Sequence, residues 1–426
     1  MFSLTVLFID FCILCSRVLF GEMFPSDGLC TVLITVFSVA FIFDIHRSRR
    51  FGIYAREISV GYIWRIFLLY FDIYGRSIYQ LPNSGADSSG FFKSAKMLLG
   101  YGEARDMGSF PHVMAAVFKF TGINQLLGQF VILLCSIIAI LVFALILESV
   151  SIDLRQKRVV ILIINLLPNF AILSVIFLRE APVTMFITIS LYFFIRWFNG
   201  ASLVNILFAV LFDLAASYFH AGSIGVIVGY VIVIFLYDRA NTKVRISFRS
   251  IIFAGIMLFV LVYLYLNYSD ILFGKISGVD SIEEIANTLD YGGSSYAQYV
   301  GNSASVQNMI IYTIPRIVYF LFSPFPWQWR GLSDIIAFAF SSMFYMYAVY
   351  AAVKNRTFYS RNNHNQVLAL LIIVFCIVFI FAWGVSNTGT AARHREKMVM
   401  LFAALLALSF NRGESKYDRG SFVWHE

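Results

Sequence analysis

The chain has 426 residues, 60% of them hydrophobic and only 13% charged. A water-soluble domain of this length needs far more polar surface, so the composition excludes a soluble enzyme and points to an all-α, polytopic membrane protein. Its long continuous apolar runs exclude an outer-membrane barrel, whose strands alternate, and the net charge of +8 reads as basic cytoplasmic loops rather than a nucleic-acid surface.

Taking roughly 20 apolar residues per crossing, about twelve spans are expected. They lie near residues 2–20, 27–45, 58–76, 123–147, 159–178, 182–198, 202–219, 222–237, 250–268, 333–353, 366–386 and 397–411. Asp10 and Arg17 in the first run argue against a cleavable leader. Cys12, Cys15, Cys30, Cys135 and Cys376 all fall in apolar segments and read as small core residues. Lys and Arg cluster after the second, fourth, eighth, tenth and last spans, which puts both termini in the cytoplasm. Keeping Lys354, Arg356 and Arg361 on that side requires the run from Met309 to Phe322, with Pro315 and Arg316, to be a re-entrant or surface helix. The whole chain reads as one integral membrane domain, with outer-face segments at about 75–122 and 269–332. The acidic stretch 270–308 is the main soluble loop. No internal repeat is visible.

This topology leaves Arg179, Arg393 and Arg395 on the outer face, against the usual sorting of positive charge. Arg316 and Arg330 are weaker exceptions. A guanidinium matches phosphate or carboxylate with a planar fork of donors, so such a group points to an anionic ligand. Pairing with Glu180, Glu396 or the acidic loop is the structural alternative. In Leu178-Arg179-Glu180-Ala181-Pro182, Pro182 suits the first position of a helix. Arg179 then sits beside a helix N-terminus that favours anions, with Glu180 as cap or as the orienter of Arg179.

Asp87 precedes an amphipathic pattern (Phe91, Phe92, Ala95, Leu98, Leu99). It is either an N-cap or a carboxylate that takes a proton from, or hydrogen-bonds, a sugar hydroxyl. His394, between two arginines, has its protonated form disfavoured and could serve as a neutral base. His220 ends a span and reads either as interfacial packing or as a polar contact. Trp327 and Arg330 lie in the rigid aromatic stretch Ser323-Pro324-Phe325-Pro326-Trp327-Gln328-Trp329-Arg330, which could meet a glycan. Asp213 and Arg65 are expected to find partners inside the bundle. No metal cluster, Ser/His/Asp set or phosphate-binding glycine loop stands out.

At Gly85-Ala86-Asp87 with Phe91-Phe92, Leu178-Arg179-Glu180, Ser323-Pro324-Phe325-Pro326-Trp327 and Gly389-Thr390-Ala391-Ala392-Arg393-His394-Arg395, the chain resembles the bacterial O-antigen and capsule polymerases of the Wzy type and related exopolysaccharide proteins. The resemblance implies a GT-C-like glycosyltransferase of the bacterial inner membrane. It would join undecaprenyl-diphosphate-linked oligosaccharide repeat units at the periplasmic face and need no cofactor. On this reading Arg179, Arg393 and Arg395 hold the diphosphate, and Asp87 or His394 is the base. Glu180, His220, Trp327 and Arg330 contact the glycan more weakly. Membrane lipid and a chain-length regulator protein are the implied partners. One departure is that the acid expected in the first outer loop would be Glu22, whereas Asp87 lies in the second outer segment. The alternatives are an O-antigen ligase or another lipid-linked GT-C enzyme, and a lipid-linked oligosaccharide flippase or transporter.

Overall fold

The computed structural model describes residues 2–103, 105–150, 152–238, 294–300, 306–354 and 361–410, with isolated positions between 243 and 256. Among these the architecture is helical. The exceptions are a two-residue antiparallel pair, Tyr237–Asp238 with Lys243–Val244, and an isolated bridge from Ser295 to Asn387. Six helices are long and apolar enough to cross a bilayer: α1 (Phe2–Leu19), α2 (Asp27–Arg47), α6 (Gln125–Glu148), α9 (Glu180–Phe198), α14 (Leu332–Lys354) and α15, apolar over His364–Trp383. Large apolar side chains such as Phe8 (68%), Val39 (66%) and Leu207 (67%) stand exposed on the outside of the bundle. That surface is stable against lipid and not against water. The chain is a helical membrane protein.

The other expected crossings within the described residues are broken in one case and otherwise shorter or more polar, and each difference has a local cause. Residues 159–178 are split into α7 (Leu154–Leu166) and α8 (Pro168–Leu173), because Pro168 forces Leu167 into an extended conformation. The span near 58–76 is α3 (Ala55–Tyr74), which carries Arg65 and Asp72 fully buried. Spans near 202–219 and 222–237 are the shorter α10 (Val204–Phe219) and α11 (Gly225–Leu236), the latter led in by a turn of 3-10 helix. The run near 309–322 lies in α13 (Val306–Phe322), with Pro315 inside it. It follows the four-residue α12 (Ala297–Val300). The span expected at 250–268 and the acidic stretch 270–293 lie outside the described residues.

The segment at about 75–122 is not an open loop. It folds into α4 (Ala86–Met97) and α5 (Ser109–Thr121), which pack on each other through Phe91 and Phe110. The last apolar run becomes α17 (Val399–Ser409), eleven residues of which every one is buried. A helix that is apolar all round belongs at the centre of a bundle, and α17 is surrounded by α6, α7, α9, α14 and α15. Immediately before it stands α16 (Thr388–Arg395), started by Asn387, whose side chain accepts from the Gly389 and Thr390 amides at 2.9 and 3.2 Å. The basic stretch therefore leads into a helix of which every residue is buried.

The embedded charges of α3 are bonded separately and in part, with Arg65 Nε, Arg65 Nη2 and Asp72 Oδ1 left without an aligned partner. Arg65 Nη1 donates to the carbonyls of Gly61 and Asn165 and to Asn165 Oδ1 at 3.0–3.1 Å. Asp72 accepts from Arg76 at 3.0 Å and from Gln129 at 2.6 Å. Close helix approach depends on glycine. In α11, a Cβ on Gly225 or Gly229 would lie 2.6 Å from the Cα of Ile377 or Ile373 of α15. This is a small-residue contact four positions apart, which lets backbones meet without a hydrophobic drive. Gly229→Ala is expected to destabilise the protein by about 1–3 kcal/mol through overpacking. Gly28→Ala, facing open space, is the neutral control, and denaturant titration in detergent compares them.

Candidate functional site

The site forms where the start of α9, the end of α10, the start of α4 and α16 converge. Its centre is Glu180, the first residue of α9, only 2% exposed. Arg393 Nε lies 3.0 Å and Lys397 Nζ 3.3 Å from its Oε1. Arg393 Nη1 also donates to Asp87 Oδ2 at 2.6 Å. Arg179, immediately before Glu180, donates through Nη1 to the Phe219 carbonyl at 3.1 Å and covers the Phe91 ring at 5.8 Å. Three cations thus face two carboxylates, and one of those carboxylates is on the exposed rim.

The local sequence explains these positions. Arg393 and Lys397 are four residues apart, so both fall on the side of the α16 stretch that faces α9. Arg395, two residues from each, points the other way. Pro182 is the third residue of α9 rather than its first, so the helix starts at Glu180. Glu180 does not cap that helix; its carboxylate is turned to Arg393 and Lys397. Asp87 is not an N-cap either. Gly85 holds that position without a side-chain cap, and Asp87 sits in the first turn, free to reach Arg393.

Beside the cations lie two imidazoles. His220, at the end of α10, and His394 meet edge to face at 4.6 Å, and both contact Phe381, at 5.0 and 5.4 Å. Burial, reinforced by Lys397, Arg179 and Arg393, holds both imidazoles well below their ordinary pKa. At neutral pH this favours the uncharged rings, which can accept a hydrogen bond. Lys397, fully enclosed in the 3-10 turn between α16 and α17, is brought down to about 7 by burial; Glu180 opposes the shift, and Arg179 and Arg393 add to it. Several polar atoms here are buried without an aligned protein hydrogen bond: Arg179 Nε, Arg393 Nε, Lys397 Nζ, both oxygens of Glu180, and Nδ1 of each histidine. The attraction between these groups is largely Coulombic, and the donors Arg179 Nε, Arg393 Nε and Lys397 Nζ have no aligned acceptor, while Arg393 Nη1 and Arg179 Nη1 are held by Asp87 and the Phe219 carbonyl.

The remaining expected residues lie apart. Arg395 is fully buried and donates to the Leu321 carbonyl at 2.9 Å, to the Ser323 carbonyl and to Ser341 Oγ at 3.2 Å, with Tyr345 under its guanidinium. It ties α16 to the end of α13 and to the π-helical turn Ala337–Ser342 within α14, away from Arg179 and Arg393. Neighbouring Glu396 accepts from Ser341 Oγ at 2.5 Å, and burial raises its carboxyl to about 7. Trp327 is 63% exposed and stacks on Phe325 at 4.8 Å. Arg330 pairs with Asp334 at 3.4 Å near the surface. Asp213 is fully buried in α10, with no aligned side-chain hydrogen bond on either oxygen. Glu22 pairs with Arg17 at the exposed end of α1.

Lys397 opens an apolar run, so hydropathy does not separate it from the span that follows. Its spacing from Arg393 was the available signal.

Glu180 and Asp87 should differ sharply on removal. Glu180→Ala leaves buried cations uncompensated and is expected to cost about 3–5 kcal/mol. Asp87→Ala removes an exposed partner and should cost about 1 kcal/mol or less. Thermal unfolding of the purified variants in detergent reads the difference.

Comparison of the chain with protein-family profiles, with curated proteins and with solved structures returned no match.

Proposed function

We propose that the chain is a polysaccharide polymerase that joins undecaprenyl-diphosphate-linked oligosaccharide repeat units at the outer face of a bacterial inner membrane. The observation that carries this reading is the cluster of Arg179, Arg393 and Lys397 around a single buried carboxylate, with donors left unaligned. Such a cluster suits a ligand of concentrated negative charge. In the reaction an acceptor sugar hydroxyl attacks the anomeric carbon of the donor glycan. The glycosidic bond forms, the bond to the lipid diphosphate breaks, and the diphosphate leaves with the bonding electrons. Cations preset where that charge develops lower the barrier. The hydroxyl proton passes to a base, for which the neutral His394 and the carboxylate of Asp87 are the candidates. A GT-C-like arrangement of about twelve crossings with both termini cytoplasmic belongs to the same proposal.

Asp213 favours a second reading. A buried carboxyl within an apolar helix is a feature of transporters, so a lipid-linked oligosaccharide transporter is the rival. Deleting the gene and profiling the surface polysaccharide separates the two. Single repeat units that persist on the surface without long chains support a polymerase, and loss of all repeats supports a transporter. Arg179→Ala and Arg393→Ala should each abolish long chains with membrane abundance unchanged. Lys at either position should restore them only in part, because it lacks the bidentate fork. Normal chain lengths in both Ala variants would falsify the site.

Binding of inorganic diphosphate to the purified protein gives a pH signature. Lys397 loses its charge as pH rises through about 7, so one attractive cation disappears and binding should weaken across that range. Lys397→Arg stays charged and should give a flatter profile. Calorimetric titrations of both proteins in matched buffers cancel the ligand's own titration.

A further inference from the structure

α9 enters the basic cluster at Glu180 and carries Arg196 in its last turn, about 24 Å away at 1.5 Å per residue. At that far end a cavity of about 480 Å³ opens between the last turns of α6 and α9. Its polar wall contains Arg50, Glu148, Tyr192, Arg196 and Asn199. The two guanidiniums are in different states. Arg50 is neutralised by Glu148, with Nε at 2.9 Å from Oε1 and Nη2 at 2.7 Å from Oε2. Arg196 has no carboxylate partner among the described residues, and its guanidinium lies 5.8 Å over the Tyr192 ring. Asn199 is held in place by Gln366, whose Nε2 donates to Asn199 Oδ1 at 2.9 Å.

Two guanidiniums against one carboxylate leave one positive charge over, on the cavity wall. The floor is apolar, formed by Leu145, Ile146 and Ile195. It continues into a narrow crevice between α6, α9, α15 and α17, and Ile146, Ser149 and Ile195 line both spaces. A charged wall above an apolar floor matches a molecule with an anionic head and a hydrocarbon body.

We propose that this cavity binds a phosphate-bearing anion on Arg196, separately from the basic cluster at the other end of α9. A phospholipid headgroup and free inorganic phosphate share this chemistry. The apolar floor favours the lipid, because free phosphate has nothing to lay along Leu145 and Ile195. Arg196 supplies the planar donor fork, and the Asn199 side chain stands beside it. Glu148 repels an anion, and its pairing with Arg50 keeps that repulsion small. The site does not depend on the diphosphate reading, since none of its residues belongs to that cluster.

The test uses the full chain, purified and reconstituted in nanodiscs of mixed phosphatidylglycerol and phosphatidylcholine, with retained lipid read by native mass spectrometry. Wild type is expected to retain phosphatidylglycerol in preference to phosphatidylcholine. Arg196→Gln should reduce that preference roughly tenfold, the loss of one charge-assisted contact. Arg196→Lys, which keeps the charge but not the fork, should retain part of it. Displacement of phosphatidylglycerol by millimolar inorganic phosphate would assign the same site to the free anion. Equal retention of both lipids by wild type overturns the proposal, as does an undiminished preference in Arg196→Gln. An equal loss in the Gln and Lys variants marks a packing defect and overturns it too. Binding of inorganic diphosphate should be the same in wild type and Arg196→Gln, whichever way the lipid result falls.

Discussion

The carboxylate of Glu180 is the constraint on which the basic cluster of this protein depends. Isolated charge is costly in a low-dielectric interior, and a buried ion is tolerated only with compensation. Arg393 and Lys397 bring that compensation from a segment more than 200 residues away in the chain, at 3.0 and 3.3 Å. The same pairing decides where α16 docks on α9. It also brings Arg179, adjacent to Glu180, and His394, adjacent to Arg393, into one group. Structural and chemical roles are not separable here: the carboxylate that makes three cations affordable also sets their spacing.

Two further devices make that docking possible. α17 is enclosed on all sides, so the turn that carries Glu396 and Lys397 has little freedom once the bundle forms. Arg395 then anchors the opposite side of the same stretch to carbonyls at the end of α13. Successive residues from Arg393 to Lys397 therefore fan out in different directions. Arg393 and Lys397 go to Glu180, Arg395 and Glu396 to the π-helical turn of α14, and His394 to His220. Close packing of α11 on α15 through Gly225 and Gly229 brings Phe381 of α15 into contact with both imidazoles.

Much of this was legible in the residues, and the misses have physical reasons. Arg179, Glu180, Arg393, His394, His220 and Asp87 stand out because charge and polarity interrupt apolar runs at matching ends of helices, and the fold gathers all six. Arg395 was grouped with its neighbours because periodicity along a short helix does not reveal which side faces which partner. Lys397 was absorbed into the span that follows it. Among the described residues six helices meet the length and hydropathy of a crossing, against about twelve apolar runs in the sequence, because hydropathy registers apolar length and not continuity. It does not see the extended residue that Pro168 imposes, or that α17 is only eleven residues long.

By itself the sequence determined the solvent this protein lives in and the helical class, because composition and apolar run length act locally and additively along the chain. It also marked the residues at which that pattern is broken. Only the tertiary structure decided which charges meet. An ion pair between Glu180 and Lys397 depends on the relative placement of two distant helices, and that placement follows from packing around α17 rather than from any local preference of the residues involved.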